Sequence, residues 1–213
     1  MPTEAKPRPT RRSQAERSAA TREALLDATI ACLVQDGYAS TTTSRVCERA
    51  GLSRGAHLHH YQTRQALLAA AMEHLAERRG RALLAAAEQL PTGPERLAAG
   101  LDLLWEGYAN PLYQAALDLW THARTDPELR ERLELVERDL DRQTLRLSQT
   151  LFGDLAERPG FGRLIEMAHA TMRGLALLDT LHPGGGRNRR QWPHCRARLV
   201  ELFEATTEPE ESR

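Results

Sequence analysis

The sequence predicts an all-α protein, with an N-terminal three-helix helix-turn-helix head followed by an antiparallel helical body. Leu, Ala, Arg and Glu are abundant whereas Val and Ile are scarce, and unbranched side chains lose little rotamer freedom in a helix. Apolar residues recur at helical spacing, as in Leu26, Ile30 and Leu33. No stretch alternates apolar and polar residues in the way that is typical of a half-buried strand.

Composition divides the chain into four predicted segments. Residues 1–17 combine 3 prolines with 5 basic residues, which predicts a disordered basic arm. Residues 18–64 form the predicted helix-turn-helix domain, and residues 65–206 form a larger helical domain. Residues 207–213 are expected to be an acidic tail.

Capping residues and glycines mark where the predicted helices begin and end. Gly37 is expected to end the first helix in the left-handed conformation that glycine tolerates. Asp126-Pro127 is a cap followed by proline, and Thr92 and Glu95 have the spacing of a capping box. The other predicted caps are Thr42 or Thr43, Ser53 and Thr63. The helices are expected at about 18–36, 43–50, 54–61, 64–89, 93–109, 111–124, 127–155, 161–182 and 189–205.

Charge is distributed unevenly although the formal net charge is zero. Residues 1–65 hold 10 Lys and Arg against 6 Asp and Glu, whereas the rest of the chain holds 19 against 23. A basic head on an acidic body is what a nucleic-acid-binding module with a separate effector module needs. The distribution supports such a division without proving it.

Cysteine usage and hydropathy disfavour secreted and membrane classes. Cys32, Cys47 and Cys195 are odd in number and far apart, so no disulfide framework or metal-binding pair is expected. Cys32 and Cys47 are predicted to be buried apolar residues rather than redox sensors. No apolar run approaches the roughly 20 residues that cross a bilayer, and the N-terminus lacks the apolar segment of a secretory signal. A reducing, cytoplasmic location is expected.

Two short helices joined by a three-residue turn are the strongest functional motif. A helix-turn-helix needs a small residue before the turn, a glycine in it and an apolar plug after the glycine. Ala50, Gly51 and Leu52 supply these in order. The second helix must then present polar side chains to the major groove of DNA. The candidates at its N-terminal end are Arg54, His57, His59 and His60.

This region resembles the TetR family of bacterial regulators. The resemblance runs from about Thr21 to Leu68 and rests on many positions in one register: 21–28, 36–38, 50–55, 59–61, Arg64 and 67–68. It implies that Arg54–Tyr61 is the recognition helix. It also implies that the helices after Thr63 form a ligand pocket and that the last two helices pair across a dimer.

The chain departs from the family pattern at two places. His57-Leu58 stands where the family usually has Leu-Tyr, and the Tyr commonly contacts a phosphate. Either the helix is slightly rotated, or Leu58 packs inward while His57 faces DNA. Arg64 replaces the usual Lys at the start of the fourth helix and is expected to remain a phosphate partner.

The head residues differ in how strongly DNA contact is expected of them. Gly55 is expected to allow close approach of a phosphate, whereas Tyr61 is expected in the core more than at the DNA. His59 and His60 are either DNA contacts or plain surface residues, and adjacent positions diverge by about 100° on a helix, which disfavours a metal site. The basic arm either touches DNA or only keeps the chain soluble. The predicted DNA-binding residues are Thr42, Thr43, Ser53, Arg54, Gly55, His57, His59, His60, Tyr61 and Arg64.

The body carries aromatic residues at helical spacing in a chain with 5% aromatics. Such residues are ordinary core or the lining of an apolar pocket with polar groups such as Asn110, His122 and His169. The predicted ligand-binding residues are Trp105, Tyr108, Tyr113, Leu117, Trp120, Met167, His169 and Met172. Residues 173–178 combine a glycine with an apolar run that suits a dimer seam. Residues 65–206 are therefore predicted to bind a ligand and to dimerise.

Together these features predict a homodimeric, sequence-specific DNA-binding regulator that binds a near-palindromic double-stranded operator. Repression relieved by a small apolar or amphipathic ligand is favoured, and activation stays open. An enzyme is not expected, because a Gly-rich phosphate loop, an HExxH motif and a nucleophile elbow are all absent from the sequence. No cofactor or metal is expected. An architectural helix-turn-helix protein without effector is disfavoured by the long aromatic-bearing body.

Overall fold

The computed structural model describes residues 13–179 and 186–207, and these ranges are helical with no strand. The all-α prediction is confirmed. A 3₁₀ helix at Gly153–Glu157 follows the seventh α-helix. The α-helices are α1 Gln14–Ser40, α2 Thr43–Ala50, α3 Arg54–His60, α4 Arg64–Ala87, α5 Glu95–Tyr108, α6 Pro111–Ala123, α7 Pro127–Phe152, α8 Phe161–Asp179 and α9 Gly186–Thr207.

The first helix begins earlier than predicted. Ser13 and Glu16 form a capping box, in which the Glu16 carboxylate accepts from the Ser13 backbone N–H at 2.7 Å. Residues 14–17 are therefore helical and do not belong to a disordered arm. The rest of the predicted arm, residues 1–12, lies outside the described residues, as do the predicted end of α8 at residue 182 and the acidic tail beyond residue 207.

The predicted caps in the head and at α7 are confirmed. The side chains of Thr42, Ser53 and Thr63 accept from the backbone N–H three residues later at 3.3, 3.2 and 3.1 Å. Asp126 accepts from the Leu129 N–H at 3.0 Å. Each bond satisfies a backbone donor that the first helical turn leaves without a partner, so local sequence determines where these helices start.

Two helix ends differ from the prediction. The capping box at Thr92 does not form, because Gly93 has a φ of 77° and α5 begins only at Glu95, after Pro94. α7 ends at Phe152 instead of Leu155, because Gly153 has a φ of 54° that a helix cannot continue through. The break predicted at Gly37 is confirmed by its φ of 74°, and one further helical turn follows it.

Three apolar clusters form the core of the described residues, and α4 contributes to all of them. Leu67 packs in the head cluster with Leu25, Val46 and the buried Cys32 and Cys47. Leu68, Met72 and Leu75 pack in a second cluster with apolar residues of α1, α6 and α7. Ala87 packs in the body cluster with residues of α5, α8 and α9. No helix in the described ranges is long and apolar enough to cross a membrane.

Two glycines with different surroundings test this packing. Gly100 is buried on α5, and a methyl group there would overlap the Phe152 ring. Gly80 on α4 has no atom within 4 Å of the position that a methyl group would take. We expect Gly100→Ala to lower the free energy of unfolding by about 1–3 kcal/mol through overpacking. Gly80→Ala should raise it by about 0.5–1 kcal/mol, since alanine favours a helix interior.

Urea denaturation of the two variants checks this prediction. Equal shifts of the same sign would mean that the α5–α7 contact is looser than described.

Candidate functional site: helix-turn-helix head, junction and cavity

The turn between α2 and α3 holds the two short helices in the arrangement of a helix-turn-helix. Gly51 lies in the left-handed conformation with a φ of 66°, and the Leu52 N–H donates to the Cys47 carbonyl at 2.9 Å. Leu52 packs against the head cluster, as expected of an apolar plug. α3 therefore projects from the head with its first turn at the surface.

α3 buries His57 and exposes Leu58. His57 is 3% exposed, whereas Leu58 is 61% exposed. His57 lies one turn before the buried Tyr61, with the two ring centroids 6.4 Å apart, so its side chain belongs to the inner face of α3. The next residue is rotated by about 100° and points outward. The alternative in which His57 faces DNA while Leu58 packs is therefore wrong, and His57 is not placed to contact DNA as its inclusion among the predicted DNA-binding residues required.

Burial also determines the charge of His57. Desolvation lowers the pKa of His57, and its Nε2 atom has no hydrogen-bond partner among the described residues. A neutral ring costs less to bury than an imidazolium. His57 therefore occupies an apolar position of the family pattern in its neutral form.

The remaining predicted DNA-binding residues differ in exposure. Arg54 donates to the Ser44 Oγ atom of α2, so the two short helices meet in one polar surface, and Ser44 was not singled out from the sequence. His59 and His60 are in edge-to-face contact at 5.2 Å, and burial, His59 and Arg22 lower the pKa of His60. Tyr61 is buried, as its preference for the core suggested. Exposed are Thr42, Ser53, Arg54, Gly55 and His59; Thr43, His60 and Arg64 are half-buried.

Arg64 has an intramolecular role that the sequence did not indicate. Its Nε donates to the Thr41 carbonyl at 2.7 Å, and an Nη donates to the Tyr38 carbonyl. The guanidinium also lies over the Tyr38 ring, 4.1 Å from its centroid. These contacts hold the start of α4 against the end of α1. Arg64 was instead predicted to bind a DNA phosphate.

Tyr38 connects the same point to the body. Its backbone N–H donates to Asp118 of α6 at 2.7 Å, and its hydroxyl donates to Asp126 at 3.2 Å. The His122 ring stacks on the Tyr38 ring at 4.2 Å, so His122 is not a group of the ligand pocket as predicted. Gln65 of α4 also donates to Asp126 at 3.1 Å. We call these six residues, from Tyr38 and Arg64 to Asp126, the head–body junction: Tyr38, Arg64, Gln65, Asp118, His122 and Asp126.

A cavity of about 520 Å³ lies in the body between α4, α5, α6, α7 and α8. This volume is within the usual range for small-molecule sites. Most of its wall is apolar, from residues such as Leu75, Leu83, Leu104, Leu112 and Leu147. Of the predicted ligand-binding residues, Tyr108, Tyr113, Trp120 and His169 line it.

The other four predicted ligand-binding residues do not line the cavity. Trp105 stacks on Trp192 of α9 at 5.2 Å in the body core, and Met172 is fully buried in the same cluster. Leu117 packs against that cluster, and Met167 is 49% exposed on the outer surface of α8. Asn110, considered as a polar group of the pocket, instead caps α6. Helical spacing alone could not separate cavity, core and surface positions.

The polar part of the cavity contains charged residues that sequence analysis missed. Arg79 of α4 and Arg173 of α8 line it, together with Glu137 of α7. Tyr108 and His169 form a hydrogen bond of 2.6 Å between the hydroxyl and Nδ1. Burial, then Arg173 and Arg79, lower the pKa of His169 to about 4, so its ring is neutral at physiological pH. Arg79 sits in a charged stretch of sequence that resembles a solvated helix face.

One group of side chains in the described residues has the spacing of a cation site. Glu23, Asp27 and His74 bring one potential ligand atom each within 4.8 Å of one another. Asp27 also accepts from Arg78 at 2.6 Å, so its charge is already compensated by a neighbouring cation. The group is an ion-pair network between α1 and α4 in this structure.

Known proteins resemble this chain in both its head and its body. A family model of bacterial regulatory proteins, tetR family, matches residues 25–71. The HTH-type transcriptional regulator CymR of Pseudomonas putida is 33% identical over 177 residues, 79% of this chain and 84% of that protein. A transcriptional regulator from Rhodococcus sp. Rha1 aligns with a TM-score of 0.61 and 23% identity, over 87% of this chain and 95% of the other.

The multidrug binding protein EbrR, in complex with imidazole, aligns with a TM-score of 0.58 and 17% identity, over 90% of this chain and 97% of the other. These two structures show a shared fold. The match to CymR spans too much of the chain to come from the helix-turn-helix alone. The chain therefore belongs to the TetR family and is a DNA-binding transcriptional regulator.

Proposed function

We propose that the protein is a homodimeric repressor that leaves its operator when a small molecule fills the cavity of the body. One observation carries this proposal: α4 joins the two sites. Its N-terminal residue Arg64 holds the end of α1 next to the helix-turn-helix, and residues 72–84 of the same helix line the cavity. We divide the chain accordingly, into a DNA-binding domain at 18–64 and a ligand-binding and dimerisation domain at 65–206.

The cavity can influence the head only if a ligand favours one position of α4 over another. A ligand shifts an equilibrium by its differential affinity for the two states. Typical coupling between two sites is about 1–3 kcal/mol, a change of about 5- to 150-fold in affinity. A displaced α4 would carry Arg64 and the helix-turn-helix with it. Two heads that must enter successive major grooves at a fixed separation tolerate little change.

Apolar residues exposed on α8 support dimerisation. Met167, Leu177 and Leu178 are 49%, 52% and 48% exposed. Gly174 lies between them on the helix and has no atom within 4 Å of the position that a methyl group would take, which leaves room for a second helix to approach closely. A helix that presents a glycine between an exposed methionine and two exposed leucines suits an interface of two identical helix pairs. The proposed partner of this face is the same face of a second copy.

The exposed surface of α2 and α3 supports sequence-specific DNA binding. Arg54, at the N-terminus of α3, suits a phosphate or a guanine edge. Leu58 is 61% exposed and offers an apolar contact for a thymine methyl group. His59 lies on the same exposed helix. With these residues, DNA affinity and sequence preference would come from different side chains. The proposed site of action is the cytoplasm, where the operator DNA lies.

The DNA contacts are tested on an operator selected from random double-stranded DNA. We expect Arg54→Ala to weaken binding to all sequences and to lower the salt slope by about one unit. Leu58→Ala should leave the salt slope unchanged but lose preference at a thymine, at a cost of about 1–3 kcal/mol. Arg142→Ala, which changes an exposed arginine of α7, is the matched control.

Fluorescence anisotropy at several salt concentrations measures both quantities, and in vitro transcription from a promoter carrying the operator measures repression. Increased transcription would show an activator. Unchanged DNA binding in both head variants would show that the DNA-binding site does not lie on α3.

The dimer is tested by placing a charge on the exposed face of α8. We expect sedimentation equilibrium to give a dimer at micromolar concentration for the unmodified chain. Leu178→Glu should shift it to monomer, because a dimer would bury the new carboxylate without a partner. Leu135→Glu is the control, since Leu135 is 59% exposed on α7. The near-palindromic operator should then have half-sites about one DNA turn apart or somewhat more, roughly 34–36 Å at the least. An unmodified chain that sediments as a monomer contradicts the proposed assembly.

Ligand release is tested through the head–body junction. Compounds are screened for a change in the fluorescence of Trp120, which lines the cavity, and Trp120→Phe identifies the contribution of this residue. A compound that binds should weaken operator binding, and operator DNA should weaken the compound by the same factor. Asp118→Ala removes the acceptor of the Tyr38 N–H and should reduce this coupling factor several-fold.

Asp139→Ala, an exposed residue of α7, should leave the coupling unchanged. If the compound bound with equal affinity in the presence and absence of operator DNA, ligand binding and DNA binding would not be coupled. That result would refute the proposed release.

A further inference from the structure

The polar end of the cavity contains an arginine without an ion-pair partner among the described residues. Arg79 faces the cavity from α4, and its guanidinium lies 5.7 Å from the centroid of the Tyr108 ring. Its guanidinium lies so close to Gly107 that a methyl group at that position would require the guanidinium to move. Burial lowers the pKa of Arg79, although an arginine remains charged under all physiological conditions. A cation withdrawn from water without an anion is costly.

The polar groups around Tyr108 leave further hydrogen-bonding atoms without a partner. The Tyr108 hydroxyl and Nδ1 of His169 share a hydrogen bond of 2.6 Å, and the nearby Arg173 acts on the pKa of the same hydroxyl. In the tautomer in which the hydroxyl donates to Nδ1, Nε2 of the neutral His169 ring carries the hydrogen, and this atom has no partner among the described residues. The Tyr113 hydroxyl also lacks one there.

The charges that surround this point from each helix leave an excess of positive charge. α4 contributes Arg79, α8 contributes Arg173 and α7 contributes Glu137. Glu137 acts on Arg173, whose pKa is raised by Tyr108 and Glu137 against the effect of burial. Among the side chains that the structure describes at this point, one carboxylate faces two guanidiniums, and the tyrosines of α5 and α6 are neutral because burial raises the pKa of both. At the rim, Glu77, Arg81 and Arg146 are exposed to solvent, which screens them.

We propose that the effector is an amphipathic organic acid, whose carboxylate binds Arg79 and Arg173 while its apolar body fills the leucine-lined part of the cavity. This inference rests on the proposed function and specifies the class of its ligand. A carboxylate accepts from guanidinium, hydroxyl and imidazole donors at once, and guanidinium matches its geometry. A cation would be repelled by both arginines, and a neutral molecule would leave the half-buried Arg79 without a counter-ion beside the apolar wall of the cavity.

Matched pairs of acids and their primary amides test the charge requirement. The probes are benzoate and benzamide, 2-naphthoate and 2-naphthamide, and octanoate and octanamide, each titrated into the full chain by isothermal calorimetry. Each amide keeps the size of its acid and loses only the charge. We expect at least one acid to bind about tenfold or more tightly than its amide, a difference of about 1.4 kcal/mol.

Variants at three arginines locate the carboxylate. Arg79→Met and, independently, Arg173→Met should remove most of the preference for the acid. Arg163→Met, at an exposed position of α8 outside the cavity lining, should keep it. Arg79→Met should also leave the ligand-free melting temperature unchanged or raise it, because a buried cation without a partner is replaced by an apolar side chain. A residue that only stabilised the fold would lower the melting temperature instead.

Three results would overturn the inference: no acid binding at millimolar concentration in any pair, amides that bind as tightly as their acids, or equal loss of preference in Arg163→Met. Operator release is measured separately on the selected operator. Amides that bind and release DNA would refute the anion requirement while supporting the repressor. Acids that bind selectively but leave operator affinity unchanged would support the anion site and refute ligand release.

Discussion

The bonds around Tyr38 are the constraint on which the arrangement of head and body depends. Its backbone N–H is held by Asp118, its hydroxyl by Asp126 and its carbonyl by Arg64. Tyr38 can present all three groups because Gly37 breaks α1 immediately before it, with a φ of 74°. In a regular helix the Tyr38 N–H would donate to the backbone carbonyl four residues earlier and could not bond to Asp118. The glycine thus converts a helix end into a connection between the DNA-binding head and the body.

This arrangement shows why Arg64 and Arg54 suit different tasks although both lie near helix N-termini. Arg64 is half-buried and its donors are directed to backbone carbonyls at the end of α1. Arg54 is exposed and bonds only to a serine hydroxyl of the neighbouring helix, a contact that water or a phosphate can replace at little cost. A positive charge at the head surface is therefore available from α3, whereas the charge at the start of α4 holds this helix against the end of α1.

Local features of the sequence predicted the fold well. Ser53, Thr63 and Asp126 cap their helices through a side chain only three residues from its partner, so a short window contains the whole cause. The direction of a side chain depends on more distant packing. His57 and Leu58 are adjacent, and only the position of α3 against the head core decides that the histidine is inside and the leucine outside.

The same limit applies to the cavity. Trp105 has the spacing of a pocket residue, but Trp192, far along the chain, stacks against it. Arg79 is surrounded in sequence by charged residues, which is typical of a solvated surface. It is half-buried because its guanidinium occupies space beside Gly107 of another helix, where a larger residue would place its side chain. Residues of this kind can be found only once the tertiary packing is known.

The packing of α4 also indicates what kind of change a ligand can produce. This helix shares one apolar cluster with the head, a second with α1, α6 and α7, and a third with the body. Protein interiors are close-packed, so a helix that is embedded in three clusters cannot slide gradually without opening voids in all of them. It can move only by exchanging one packed arrangement for another. Under the proposed release, a bound molecule that alters the cavity segment would therefore select between discrete positions of Arg64, and the junction at Tyr38 would pass that choice to the helix-turn-helix.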